Sequence, residues 1–136
     1  MDQSNVYATA TTKGVAEFVR DFVDVLGKYG FMVTNEPTMN MAETFTAHGA
    51  EITSGFDLHM IQVCKPQKAA MSLVGNPERS VLMPKFVMVF SKDGKTQVRY
   101  LSYAKTDIRA VVDDDVFPDS LAETFTKIHS MIDEAI

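Results

Sequence analysis

Residues 81–103 constrain the fold of this chain most, because they read as one antiparallel β-hairpin. Residues 81–90 are apolar on both faces, which is typical of a central strand, and Pro84 marks either the true start of that strand or a bulge. Asp93-Gly94 can supply the positive backbone angles of a tight turn, and residues 96–103 return as the partner strand. A hairpin combined with helical crossovers elsewhere predicts an α+β sheet.

Three further segments carry helical signals. In residues 14–28 apolar side chains recur at steps of three and four, and Gly30 can end the helix in a left-handed conformation. In the last segment Ser120 and Glu123 form a capping box after Pro118, which predicts a C-terminal helix starting there. Residues 40–53 show a weaker helical pattern, in which Asn40 could act as the cap.

The remaining elements complete a single predicted domain over residues 1–136. Strands are expected at residues 5–12, 31–34 and 56–64, with a short helix from Pro66 to Gly75 and one or two helical turns at 105–112. The resulting order is β-α-β-(α)-β-α-β-β-α-α. It predicts an α+β fold with one mixed, mainly antiparallel sheet, helices packed on it, and a C-terminal helical extension.

Composition narrows the classes of partner. The chain has 13 Lys and Arg against 18 Asp and Glu and a pI near 5.1, which disfavours a nucleic-acid backbone as the main partner. Its apolar stretches are too short to span a bilayer, and residues 1–4 lack the basic, apolar start of a secretory signal. We therefore expect a cytoplasmic protein without a nucleic-acid or membrane partner.

Motif searches give no sign of a metal site or a cofactor. His48, His59 and His129 lie in different predicted elements, and none has a second His or Cys at ligand spacing. His59 and Cys64 are five residues apart on one strand, so they should face opposite sides of the sheet. No phosphate-binding loop and no signature of a nucleophilic serine is present. The acidic run at residues 113–115 is interpreted as a solvated loop, with a calcium site as the weaker alternative.

Cys64 is the strongest single candidate for a chemically reactive residue. It ends the third predicted strand, two residues before Pro66 opens the short helix, and Lys65 and Lys68 are close by in sequence. A helix N-terminus and nearby cations stabilise a thiolate, so Cys64 could act as a sulfur carrier, a redox sensor or a nucleophile. The alternative is a small apolar side chain at a strand end, where unpaired cysteine is common.

Nine methionines are more than a chain of this size usually carries. Several lie in or beside the predicted strands. They could line an adaptable groove for a ligand, but core packing or a buried subunit interface is the more frequent use of such residues.

The segment 56–103 resembles domain-of-unknown-function family 302, a group of small bacterial and archaeal proteins. The resemblance rests on three motifs: Val63-Cys64-Lys65-Pro66, Asn76-Pro77 and Leu82-Met83-Pro84. It covers residues 5–105 and leaves 106–136 as an added helical extension. It implies an α+β domain that is usually homodimeric and has no established activity. Many members carry Asn at the position of Lys65 and a second Cys at that of Lys85, so only Cys64 carries over.

Two hypotheses about function follow. The first is a homodimeric module without an evident catalytic site that binds a small molecule or a partner, with Cys64, Lys65, His59 and Lys85 as the candidate ligand-binding residues. The second is a single-thiol protein that uses Cys64. A hydrolase assembled from scattered carboxylates and His59 is a weaker third alternative. Whether the chain is an enzyme at all is left open.

Overall fold

The computed structural model describes residues 3–136 and contains one five-stranded antiparallel sheet in the order β1-β5-β4-β3-β2. The register pairs Tyr7 with Tyr100, Val87 with Tyr100 and Met60 with Met88. This confirms the predicted α+β fold, and every strand pair is antiparallel. The strands are β1 (Asn5–Thr11), β2 (Met32–Val33), β3 (Leu58–Cys64), β4 (Phe86–Lys92) and β5 (Lys95–Ser102).

The helices follow the predicted order along the chain. They are α1 (Val15–Lys28), α2 (Met41–Ala47), α3 (Pro66–Gly75), α4 (Lys105–Val111) and α5 (Phe117–Ala135), with 3₁₀ helices at Glu36–Thr38 and Pro77–Leu82. α1 ends where Gly30 adopts a φ of 78° and the N–H of Phe31 donates to the carbonyl of Leu26. This is the left-handed helix ending that Gly30 predicted.

α1 and α5 pack on one face of the sheet, called here the inner face, and form the core with it. Alternation along the strands directs Ile61, Val87 and Val98 into this layer, where they are fully buried. From the helices, Phe18 and Ile128 are equally buried. This apolar layer supplies most of the burial that stabilises the fold.

The opposite, outer face of the sheet is apolar but much less covered. Its side chains are half-buried or exposed, and Leu101 reaches 49% exposure. Arg99 lies flat across it, with its guanidinium 5.5 Å from the centre of the Phe90 ring and Nη1 donating to the carbonyl of Thr9. The apolar members of this face are Val6, Leu58, Met60, Phe86, Met88, Phe90 and Leu101.

Two predicted elements are shorter in the structure than in the sequence pattern. The helix expected at residues 40–53 is capped by Asn40 but stops at Ala47, because Gly49 takes a φ of 85° and the N–H of Ala50 donates to the carbonyl of Phe45. The strand expected from residue 81 begins at Phe86, because Pro77–Leu82 forms a 3₁₀ helix and Pro84 has no N–H for a strand ladder.

The start of α5 also differs from the prediction. The helix begins at Phe117, with Pro118 in its first turn, and no capping box forms between Ser120 and Glu123. Instead, the Asp114 carboxylate accepts the N–H groups of Val116 and Phe117 at 2.9 and 2.8 Å. A cap three residues upstream of the helix thus replaces the predicted one.

Candidate functional site

A cleft of about 200 Å³ lies where the end of β3 meets α3, the following 3₁₀ helix and the first turns of α5. Cys64 and Lys65 enter it from the end of β3, and Lys85 enters from the residue before β4. α3 adds Lys68, and α5 adds Thr124. Apolar side chains complete the walls: Phe31, Leu73, Met83, Phe117 and Leu121.

The charge of the cleft is opposite to that of the chain. Lys65, Lys68 and Lys85 line it, and no Asp or Glu among residues 3–136 does so. Within the same part of the chain, none of these three lysines forms a salt bridge. The chain as a whole carries a net charge of −5. The cleft is therefore a local cationic site on an acidic protein.

Lys85 is the most enclosed of these lysines. Its backbone carbonyl accepts the N–H of Val63 at 2.8 Å, which extends the pairing of β3 and β4 and places Lys85 beside the Cys64 end of β3. Its Nζ donates to the carbonyl of Met83 at 3.0 Å. Burial lowers the pKa of Lys85, while the charge of a Cys64 thiolate acts the other way.

Lys68 connects the two walls of the cleft. Its Nζ donates to the carbonyl of Ser120 at 3.0 Å and to Thr124 Oγ1 at 2.7 Å, both on α5. Burial is also the main cause that lowers the pKa of Lys68. These bonds fix one ammonium group at the rim and hold α3 against α5.

Cys64 is half-buried and is one of the residues that line the cleft. It lies two residues before Pro66, which opens α3, and the first turn of that helix has no side-chain cap. Along β3, His59, Ile61 and Val63 are buried on the inner face, whereas Cys64 is one of the residues that alternate with them. This confirms that His59 and Cys64 face opposite sides.

His59 does not belong to the cleft. It is 9% exposed on the inner face, and its Nδ1 lies 3.7 Å from Asp57 Oδ1. Burial lowers its pKa, and the nearby carboxylates of Asp57 and Glu43 oppose that shift. Of the four candidate ligand-binding residues, the structure brings together Cys64, Lys65 and Lys85 and places His59 elsewhere.

Sequence reasoning missed the contribution of Asp114. The run at residues 113–115 was interpreted as a solvated loop, yet the Asp114 side chain is only 7% exposed and accepts from Arg79 Nε at 2.7 Å. Asn76 donates to the same carboxylate oxygen at 2.9 Å. These bonds fasten residues 66–82 to the start of α5 beside the cleft. No local motif could reveal them, because the partners are 35 and 38 residues away.

Within residues 3–136, no group of three or more His, Cys, Asp or Glu side chains is arranged to hold a metal ion. No helix in that range is both long and apolar enough to cross a membrane.

The fold and the cleft define a small α+β protein with a cationic, apolar-walled site. The sequence model of the family described as "Domain of unknown function DUF302" matches residues 7–135. The chain therefore belongs to the DUF302 family, as the resemblance indicated. The match runs through α4 and α5, whereas the resemblance seen in the sequence ended at residue 105.

A solved structure shows the same fold. The crystal structure of an uncharacterized conserved DUF302 protein from Bacillus stearothermophilus is similar with a TM-score of 0.78 at 19% sequence identity, over 96% of this chain and 98% of that chain. No curated protein matches the sequence.

Proposed function

We propose that this protein is a binding module whose cleft takes a small organic anion. The carrying observation is that Lys65, Lys68 and Lys85 line a cleft without a carboxylate, on a chain with a net charge of −5. Ammonium groups without a salt bridge in a partly buried site, such as those of Lys65 and Lys68, are costly unless an anion compensates them. Phe31, Leu73 and Met83 would contact the apolar part of the ligand. The proposal places the module in the cytoplasm, where a half-exposed thiol stays reduced.

The test uses butyrate, a carboxylate with a short apolar tail, and 1-butanol as its uncharged counterpart. Butyrate should shift amide resonances of Cys64, Lys65 and Thr124 in two-dimensional NMR, and butanol should not. Because a charge-assisted hydrogen bond contributes about 1.5–3 kcal/mol, Lys65→Gln should weaken binding roughly tenfold or more. Lys95→Gln, at an exposed lysine of the β4–β5 turn, is the matched control. Shifts spread over the surface, or none, would refute the proposal.

The module is further proposed to be a homodimer joined through the outer face of the sheet. Four strands of about seven residues give a face of roughly 19 by 24 Å, about 460 Å² on each copy, which is smaller than the roughly 800 Å² per partner of a standard interface and matches the size class of weak dimers. Met60, Met88 and Phe90 on this face are apolar, and an apolar surface is complementary to a copy of itself. The one guanidinium beside them, that of Arg99 over Phe90, already donates through Nη1 to the carbonyls of Thr9 and Val98. A second copy of this chain is the occupant that we propose.

Sedimentation at tens of micromolar tests the dimer. The wild-type protein should sediment as a dimer, and Met88→Lys should sediment as a monomer with unchanged circular dichroism. Met71→Lys is the control, because Met71 is 78% exposed on α3, away from the outer face. A wild-type monomer, or a dimer that survives Met88→Lys, would rule out this interface.

The second candidate function is the single-thiol protein. It is supported by the position of Cys64 in the cationic cleft next to an enclosed amine, Lys85. Intact-mass measurements with iodoacetamide from pH 5 to 9, on native and unfolded protein, test it. Native labelling faster than unfolded labelling at pH 6 would support an activated thiolate. Labelling only after unfolding would make Cys64 a structural residue.

A further inference from the structure

Lys85 differs from the other described lysines in its surroundings. Lys13, Lys28, Lys105 and Lys127 form salt bridges with carboxylates. Lys92 and Lys95 are exposed. Lys68 makes two hydrogen bonds to α5, and Lys65 lies with Nζ 5.5 Å from the centre of the Phe31 ring. Lys85 makes a hydrogen bond to the backbone carbonyl of Met83 and lines the cleft together with an adjoining cavity of about 210 Å³.

The hydrogen bonding of Lys85 is compatible with a neutral amine. Its Nζ donates to the carbonyl of Met83 at 3.0 Å, a bond that a neutral amine makes as well as an ammonium ion does. A neutral amine can make this bond and still direct its lone pair into the cleft. Burial and the positive charge of Lys68 both favour the neutral form, so the pKa of Lys85 is lowered. A desolvated lysine beside another cation is a recognised way to activate an amine nucleophile.

We propose that Lys85 binds the cleft ligand covalently, as an imine with a small anionic aldehyde or keto acid. This inference rests on the proposed function, because Lys65 and Lys68 hold the anionic group while the carbonyl carbon faces Lys85. The Nζ lone pair adds to the carbonyl carbon, the carbonyl π electrons move to oxygen, and one Nζ proton is transferred to that oxygen. The resulting carbinolamine then loses its hydroxyl group and the second Nζ proton together as water, and the electrons of that N–H bond form the carbon–nitrogen double bond.

Glyoxylate, the smallest anionic aldehyde, is the probe, with cyanoborohydride to reduce the imine to a stable secondary amine. Peptide mapping by mass spectrometry then locates carboxymethyl groups on individual lysines. At pH 7 we expect Lys85 to be modified faster than exposed Lys95, because burial lowers the pKa of Lys85 and leaves more of its amine neutral. The preference should shrink at pH 10, where exposed lysines also become neutral. It should vanish in urea, where the cleft is lost.

Two variants complete the design. Lys85→Arg retains a cation and should abolish the fast modification, whereas Lys95→Gln should leave it unchanged. If Lys85→Arg does not fold, the peptide map of the wild-type protein still tests the proposal, because it compares Lys85 with Lys95 within one native protein. Equal modification of Lys85 and Lys95 would overturn the imine. If glyoxylate nevertheless shifts the amide resonances of the cleft, the anion-binding proposal survives. If it neither shifts them nor labels Lys85, both proposals fail.

Discussion

Arg79 Nε donates to Asp114 Oδ2 at 2.7 Å and thereby joins the 3₁₀ helix after α3 to the segment before α5. The Asp114 carboxylate also accepts from Asn76 and from two N–H groups at the start of α5. One side chain thus closes an ion pair, caps a helix and fastens one wall of the cleft. These donors stabilise the charged form and hold the pKa of Asp114 well below its usual 3.8.

Asp114→Asn should make folding less sensitive to acid. A carboxyl group whose folded pKa is depressed contributes its full stability above the unfolded pKa of 3.8, and loses it as the pH falls toward the folded value. Through this group the free energy of unfolding of the wild-type protein should fall between about pH 5 and pH 2. The variant has no carboxyl group at this position, so its free energy of unfolding should fall less over the same range. Urea unfolding across this pH range measures it. Exposed Asp113→Asn is the control, and an identical slope in all three proteins would contradict the assignment.

Two glycine substitutions should change stability in opposite directions. Gly94 has a φ of 74° in the two-residue turn Asp93-Gly94. Gly94→Ala forces an L-residue into the left-handed region and should destabilise the fold by about 1 kcal/mol. Gly27 lies in α1 with open space around it, so Gly27→Ala should stabilise the fold by about 0.5–1 kcal/mol. Thermal unfolding of both variants tests the pair. Shifts of the same sign would contradict the backbone assignment at one of the two positions.

Tyr100 and Tyr7 offer a matched pair of hydroxyl deletions. The Tyr100 hydroxyl is buried without a hydrogen-bond partner among the described residues, and Tyr100→Phe should stabilise the fold by up to about 1 kcal/mol. The Tyr7 hydroxyl donates to Asp133, and Tyr7→Phe should cost about 0.5–1.5 kcal/mol. Denaturant unfolding measures both changes. A destabilised Tyr100→Phe variant would show that an ordered water satisfies this hydroxyl.

His59 and His129 should titrate below 6.5 in the folded protein. Burial is the main cause that lowers the pKa of each ring, although Asp57 and Asp133 respectively oppose it. Between the lowered folded pKa and 6.5 the unfolded chain binds more protons, so stability rises with pH through this window. Proton NMR of the ring resonances gives the midpoints directly. A midpoint above 6.5 for either ring would mean that its neighbouring carboxylate dominates over burial.

Much of the fold could be predicted because its signals are local. The apolar stripe of α1, its ending at Gly30 and the Asp93-Gly94 turn each depend on a few neighbouring residues. The start of α5 could not be predicted, because Asp114 outcompetes the local Ser120–Glu123 pattern through contacts with Asn76 and Arg79. The weak cover on the outer face is also a property of the assembled sheet, which alternation along one strand does not reveal.

The residues of the candidate site also differ in whether the sequence alone could reveal them. Cys64 and Lys65 are adjacent in sequence and come directly before the predicted short helix. The sequence alone therefore placed both residues near the N-terminus of that helix. Lys85 came only from the family resemblance, and its contact with the end of β3 depends on the pairing of β3 with β4. His59 shares a strand with Cys64, but the pleat directs it into the core. Sequence spacing thus located two of the site residues, and sheet pairing decided the other two.

The two walls of the cleft belong to parts of the molecule with unequal stability. α5 carries Leu121, Phe125 and Ile128 into the core, so its movement away from the sheet exposes buried apolar surface. α3 and the 3₁₀ helix after it have no fully buried side chain and are held by polar bonds from Lys68, Asn76 and Arg79. Amide hydrogen exchange should therefore be faster in residues 66–82 than in α5. Release of the proposed ligand would then need only the detachment of the weaker wall, and its residence time would be set independently of the lifetime of the fold.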